Sequence, residues 1–319
     1  MNAIATIALP FFALILLGYG ARRLGWLKQG VAGLEFFVTW LALPVFYFQL
    51  VARTAPADLA DWSFLITTAF AAYCAFAIAF SVAALINHGS VPEATISGLI
   101  GSEANIAVMG PAITIAAFGP AAGAPTALVF ACLHVMFAAL VPLMMALGGT
   151  ERTNPRALAT TIALDAFVHP LVLATIAGLI ASLVHLRLPG PVETLLTALR
   201  VAAVPCALFL LGARLPASVQ GPVDLGLLLP IAFKLVVHPL IVYLLITWIG
   251  GFSRLWLGTA VLLAALPPAA EVAGFARRYE ADVKRSSDAF LIGTTASVIS
   301  LIVVLVLMIG DLLPGDPFR

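Results

Sequence analysis

The chain is divided into apolar runs of roughly 18–26 residues, rich in Leu, Ala and Val, joined by short polar linkers. A helix needs about 20 such residues to cross a bilayer. Amides in hydrocarbon find no water, so only helices or closed barrels can span it. Barrel strands alternate with a period of two over about ten residues, and these runs do not. Composition agrees: 62% of the 319 residues are hydrophobic and 10% charged, with a mean hydropathy of +1.11. A soluble domain holds about 45–50% apolar and about 25% charged residues, so the solvent for this chain is lipid. A net charge of +1 provides no basic footprint for nucleic acid. Cys74, Cys132 and Cys206 lie far apart inside apolar runs, as small core residues rather than disulfide partners. The first run lacks a basic leader and a small-x-small cleavage site before Arg22 and Arg23, so it reads as a span rather than a signal peptide.

The expected fold is an all-α polytopic membrane protein with about ten spans, near 3–21, 33–52, 62–86, 93–118, 124–148, 158–184, 193–213, 227–249, 255–280 and 287–310. The linkers carry Gly, Pro and charge, as in Gly148 to Arg152 and Leu188 to Pro191. With the N-terminus outside, the cytoplasmic loops hold Arg22, Arg23, Lys28, Arg152, Arg156, Arg214, Arg277, Arg278, Lys284 and Arg285. The outer side then holds Arg53, Arg187, Arg254 and Arg319. Ten against four follows the positive-inside rule and places both termini outside a cell membrane.

A repeat is visible in the second and seventh spans. Pro44, Phe48, Leu50, Ala52 and Arg53 match Pro205, Phe209, Leu211, Ala213 and Arg214 at a constant offset of 161. Five spans per half is odd, so the halves, 1–150 and 151–319, must enter the membrane from opposite sides. Inverted repeats of this kind are a common transporter architecture.

The fourth span of each half is interrupted. One reads Gly101-Ser102-Glu103-Ala104-Asn105 through Gly110-Pro111; the other reads Leu266-Pro267-Pro268-Ala269-Ala270-Glu271 through Gly274. Each sets Gly, Pro and an acid in the middle of an apolar run. A helix broken within a membrane frees N–H and C=O groups, which is tolerated only beside protein or a wet cavity. Half-helix N-termini attract anions, and C-terminal carbonyls suit a cation. Ser102, Glu103, Asn105, Gly110, Pro111, Pro267, Pro268 and Gly274 are therefore candidate substrate contacts. Glu271, with Glu103, is the candidate holder of a coupling cation, either a proton or Na⁺. The bland alternatives are a packed kink at each Gly-Pro, structural bonding of the two acids, and Ser102 as a small packing residue.

Other polar residues remain open. Asp165 and His169, four apart, share a helix face as a proton relay or a structural pair. His169-Pro170 and His238-Pro239 set bends. His134 reads as a packing histidine. Lys234 either attracts an anion or snorkels to the cytoplasmic surface, and Arg200 and Arg53 are similar.

Gly18-Tyr19-Gly20 with Arg22-Arg23-Leu24-Gly25, then Leu43-Pro44 and Phe48, form one set of marks. Asn105 through Gly110-Pro111, Pro205 with Leu211-Gly212, and Leu266-Pro267-Pro268-Ala269 with Phe275, Ala276 and Tyr279 form the rest. In that order and spacing the chain resembles the auxin efflux carrier family, in the bacterial branch that includes malonate and malate permeases. The resemblance covers nearly the whole chain. It implies two inverted five-helix repeats, helices four and nine broken and crossing, and a small organic anion moved by an elevator-like motion. That family usually presents Asn at both breaks. Asn105 fits the first, but Glu271 stands near the second, similar to the bile-acid/sodium symporters.

The leading expectation is a secondary carrier of small carboxylates, proton- or sodium-linked, with no other cofactor, embedded in lipid, and with Gly- and Ala-rich faces that permit a homodimer. The rivals are an intramembrane enzyme using His134, His169, His238 or Asp165, and a channel. No His-Glu-x-x-His pair or Gly-x-Ser-x-Gly elbow supports the enzyme.

Overall fold

The structure is a computed structural model and describes residues 2–27, 30–59, 61–86, 90–149 and 154–310. Lys28, Arg152 and Arg319, three of the residues used for orientation, lie outside them. Helix α1 (Asn2–Arg23) leads into the run Val31–Ala52, made of α2 (Val31–Phe36), a π-helical stretch Phe37–Ala42 and α3 (Leu43–Ala52). Then come α4 (Trp62–Ile86), α5 (Val91–Ser102), α6 (Ile106–Phe118) and α7 (Gly123–Leu147). Next are α8 (Pro155–Phe167), α9 (Pro170–Leu183) and α10 (Gly190–Arg214). The run Leu225–Ile249 contains α11 (Leu225–Ala232), a second π-helical stretch Phe233–Val237 and α12 (His238–Ile249). The last are α13 (Arg254–Ala264), α14 (Ala270–Arg278) and α15 (Val283–Ile309). Among the described residues, six helices or continuous runs are long and apolar enough to cross a membrane, and α8 with α9 makes a seventh, bent by 62°. The protein is an all-helical, multi-pass membrane protein.

Proline placement explains the irregular helices. A proline lacks N–H, and its ring crowds the carbonyl four residues back. Each π-helical stretch lies just before Pro44 or Pro239, where a wider turn relieves that crowding. Pro170 has the stronger effect. The residue before a proline is pushed out of the helical region, and His169 is extended, with φ −66° and ψ 130°. The expected face shared by Asp165 and His169 therefore does not exist. Asp165 instead meets Arg278 at 2.6 Å, while His169 Nδ1 caps α9 by accepting from the Leu171 amide.

Two helix pairs approach almost to backbone contact. A Cβ on Gly18 would collide with the Phe209 carbonyl and one on Gly212 with the Ile15 carbonyl, which locks α1 against α10. A Cβ on Gly178 would stand 2.7 Å from the Phe48 oxygen, so α9 also lies close to α3, though less tightly. In lipid, where helices gain little from hiding apolar surface from one another, small residues permit this van der Waals contact. Arg53, after α3, pairs with Glu193 at the start of α10; Arg214, at the end of α10, pairs with Glu35 in α2. The exterior is apolar: Leu9, Leu17, Phe70 and Ile299 are more than half exposed, and Trp26, Trp62 and Trp248 stand exposed near helix ends. Exposed Trp at span ends matches the aromatic belts of membrane proteins.

Candidate functional site

The two interrupted helices meet. Helix α5 stops at Ser102 and α6 restarts at Ile106; α13 stops at Ala264 and α14 restarts at Ala270. Each connector is extended and would leave amides unpaired. They satisfy one another as a short antiparallel bridge between Ala104 and Pro268. The Asn105 amide donates to the Pro267 carbonyl, and the Ala269 amide donates to the Glu103 carbonyl, both at 3.0 Å. Pro267 and Pro268 lack amides, so the second connector donates to the bridge only through Ala269.

The side chains at the crossing are less satisfied. Ser102 Oγ turns back to the Gly98 carbonyl at 2.8 Å and is consumed by its own helix. Asn105 is buried and starts α6, yet its side chain makes no cap, and its Nδ2 is buried without a partner among the described residues. Glu103 is buried with Oε2 in the same condition. Leaving buried donors and acceptors unmade costs about 1–3 kcal/mol each, more if charged, and marks a place that a ligand can complete. Glu271, in the first turn of α14, is half-buried and close enough to Glu103 for the two carboxylates to repel.

Two cavities share Glu271. A pocket of about 20 Å³ lies between Glu103, Ala104, Ile106, Ala107, Phe130, Leu133, His134, Phe137 and Glu271. That is room for about one water, not for an organic anion. A polar vestibule of about 350 Å³ lies on the other side of Glu271, lined by Glu35, Arg214, Pro216, Ala270, Ala273, Arg277, Ser287 and Phe290. A third space, about 420 Å³ between α4, α5 and the α11 region, has no charged lining residue.

Several sequence candidates take packing places. Gly110 sits one turn into α6; a Cβ there would press on Ile106, Leu263 and Thr126, so its smallness serves the contact of α6 with α13 and α7. Pro111 is buried in the same turn and deprives the Ala107 carbonyl of its helical donor. The Tyr47 hydroxyl replaces that donor, at 3.2 Å from Ala107 O and 3.3 Å from Ile106 O. Tyr47 is thus a structural residue of the crossing that sequence reading missed; its signal was a lone hydroxyl in an apolar run. Gly274 faces open space, so nothing in its packing demands glycine.

The histidines sit near the small pocket. His134 Nε2 lies 3.2 Å from the Asp165 carbonyl, its ring stacks on Phe130, and the His169 ring is 4.2 Å away, centre to centre. Lys234 corrects the snorkelling expectation: it is fully buried, beneath the second break rather than at a surface. Its Nζ donates to the Ala264 carbonyl at 2.5 Å and to His238 Nδ1 at 3.0 Å.

Crossed, interrupted helices in a lipid-facing helical bundle define a membrane transporter. Residues 3–305 match the membrane transport protein family, and the chain belongs to it; these are the auxin efflux carriers that its motifs resemble. Over 321 aligned residues, covering 100% of both chains, it is 36% identical to a protein of Rhizobium meliloti (strain 1021) named "Putative malonate transporter".

Proposed function

We propose that this protein is a secondary transporter of small carboxylates of the malonate class, working by alternating access at the crossing. The reading rests on one observation: the two breaks meet and leave a buried amide, Asn105 Nδ2, and a buried carboxylate oxygen, Glu103 Oε2, without partners. The free amide donates to the substrate carboxylate. Glu271, shared by the small pocket and the vestibule, carries the coupling cation, a proton or Na⁺, with Glu103 as the second carboxylate. A cation on Glu271 also removes a negative charge that would repel an arriving anion, so cation and substrate assist each other's binding. The name of the relative supports malonate as the first substrate to try.

The architecture belongs to the same proposal. Counting α1, α5 with α6, and α13 with α14 as spans beside the seven above gives ten, five in each of the halves 1–150 and 151–319. Two contact pairs support inversion. Gly18 abuts Phe209 O and Ala213 N, while Gly178 abuts Phe48 O and Ala52 N, at offsets of 160 and 161. Arg53 pairs with Glu193 as Arg214 pairs with Glu35, so the second and seventh spans lie antiparallel with reciprocal contacts. Reciprocity of this kind is the mark of a two-fold axis. The excess of basic residues places both termini outside the cell membrane.

Purified protein in proteoliposomes tests the mechanism. Malonate uptake driven by a proton or sodium gradient is expected in wild type and absent in Glu271→Gln, with thermal stability retained. Uptake by Glu271→Gln equal to wild type, with the same ion dependence, removes Glu271 from the mechanism.

A further inference from the structure

Lys234 is an unusual residue to find inside a membrane protein. A buried ammonium is strongly unfavourable unless paired and hydrogen-bonded, and lysines near span ends normally reach for water. Lys234 does not: it is 0% exposed, in the π-helical stretch between α11 and α12. Its stretch widens just before Pro239, and its head is drawn inward to the second break.

The place it reaches is defined by backbone chemistry. Ala264 is the last residue of α13, so its carbonyl is among those left without a helical donor. Aligned peptide dipoles give that end partial negative charge. In transporters with interrupted helices, carbonyls of this kind are where coupling ions bind. Here the Lys234 ammonium donates to the Ala264 carbonyl at 2.5 Å, with a second bond to His238 Nδ1 at 3.0 Å. The buried Glu103 carboxylate is near enough to interact with it electrostatically, and Glu103 Oε2 has no hydrogen-bond partner among the described residues.

We infer that Lys234 is a resident cation, seated where a sodium ion would otherwise bind at the carbonyl end of α13, and that this carrier works without sodium. The inference rests on the transport reading above and deepens it, leaving the proton as the coupling ion for Glu271. Lys234 acts as a positioning residue: it fixes the second break and Glu103 against one another without touching substrate.

The test uses the full chain in detergent and in proteoliposomes, with malonate as the transport probe and choline as the sodium replacement. Wild type is expected to show the same melting temperature and the same malonate uptake in sodium as in choline. Lys234→Ala and the closer-volume Lys234→Met are expected to melt roughly 5–10 °C lower, because a buried charge partner is removed. In Lys234→Ala, sodium or methylammonium should restore part of that loss in a saturable way, and choline should not. A purely space-filling lysine would show the loss without cation-specific rescue, which would overturn the assignment. So would wild-type malonate uptake that rises ten-fold or more and saturates with sodium. If malonate is neither bound nor moved, the transport reading fails on that arm, while the melting and rescue measurements still decide the seat of Lys234. If both variants fail to fold, the wild-type sodium comparison decides alone: insensitivity supports the inference and sodium dependence overturns it.

Discussion

The two helix breaks look alike in sequence and solve different electrostatic problems. The first, Glu103 to Asn105, is short, has every amide, and buries one carboxylate oxygen, Glu103 Oε2, and one amide nitrogen, Asn105 Nδ2, that have no hydrogen-bond partner among the described residues. The second, residues 265–269, contains two prolines, has acceptors to spare, and is closed by an ammonium from another helix. The residue 161 positions before Lys234 is Tyr73, which is half exposed, so the first break has no equivalent cation. The second break thus has a cation at its helix end, while the first keeps two buried polar atoms without partners among the described residues.

That contrast can be broken in several ways. The largest effect belongs to Asn105→Ala. If the amide awaits substrate, malonate uptake should fall roughly 10–100-fold, the worth of a hydrogen bond to a charged group. The melting temperature should barely move, because Nδ2 has no protein partner to lose; a large drop in stability would make Asn105 structural instead. Next, Gly110→Ala should cost about 1–3 kcal/mol by overpacking against Leu263 and Thr126, read by denaturation in detergent. Its counterpart on the other half, Gly274→Ala, meets open space and should gain up to about 1 kcal/mol from helix propensity; equal costs at both glycines would refute the asymmetry. The smallest effect is at the exposed ion pairs. Double-mutant cycles on Arg53 with Glu193 and on Arg214 with Glu35 should give similar couplings of about 0.2–1 kcal/mol. Clearly unequal couplings would argue against the reciprocal packing of the two halves.

Much of this was legible in the chain. The breaks announce themselves through Gly, Pro and acid inside apolar runs, since few other patterns combine those residues in a membrane helix. The matching segments around Pro44 and Pro205 lie in the runs Val31–Ala52 and Gly190–Arg214, whose ends are joined by Arg53 with Glu193 and by Arg214 with Glu35. What could not be read was through-space choice. Nothing local says that Ala104 pairs with Pro268, or that Tyr47 supplies the donor that Pro111 withholds. Lys234 was misjudged because its distance from a span end was measured along the helix, whereas its partner lies sideways, at the end of α13. The pairing of Asp165 with His169 failed for a reason present in the sequence: His169 precedes a proline and cannot continue the helix.

The close approach of α1 to α10 and of α3 to α9 sets a mechanical limit. Helices that touch through carbonyl oxygen and glycine Cα interlock like the teeth of a zip, and one cannot slide along the other without first lifting away. Each pair must therefore travel, or stay still, as a single beam. Under the proposed alternating access, shear is left to the seams where longer side chains lie between helices, and a wedge such as a bulky inhibitor placed there should stop transport.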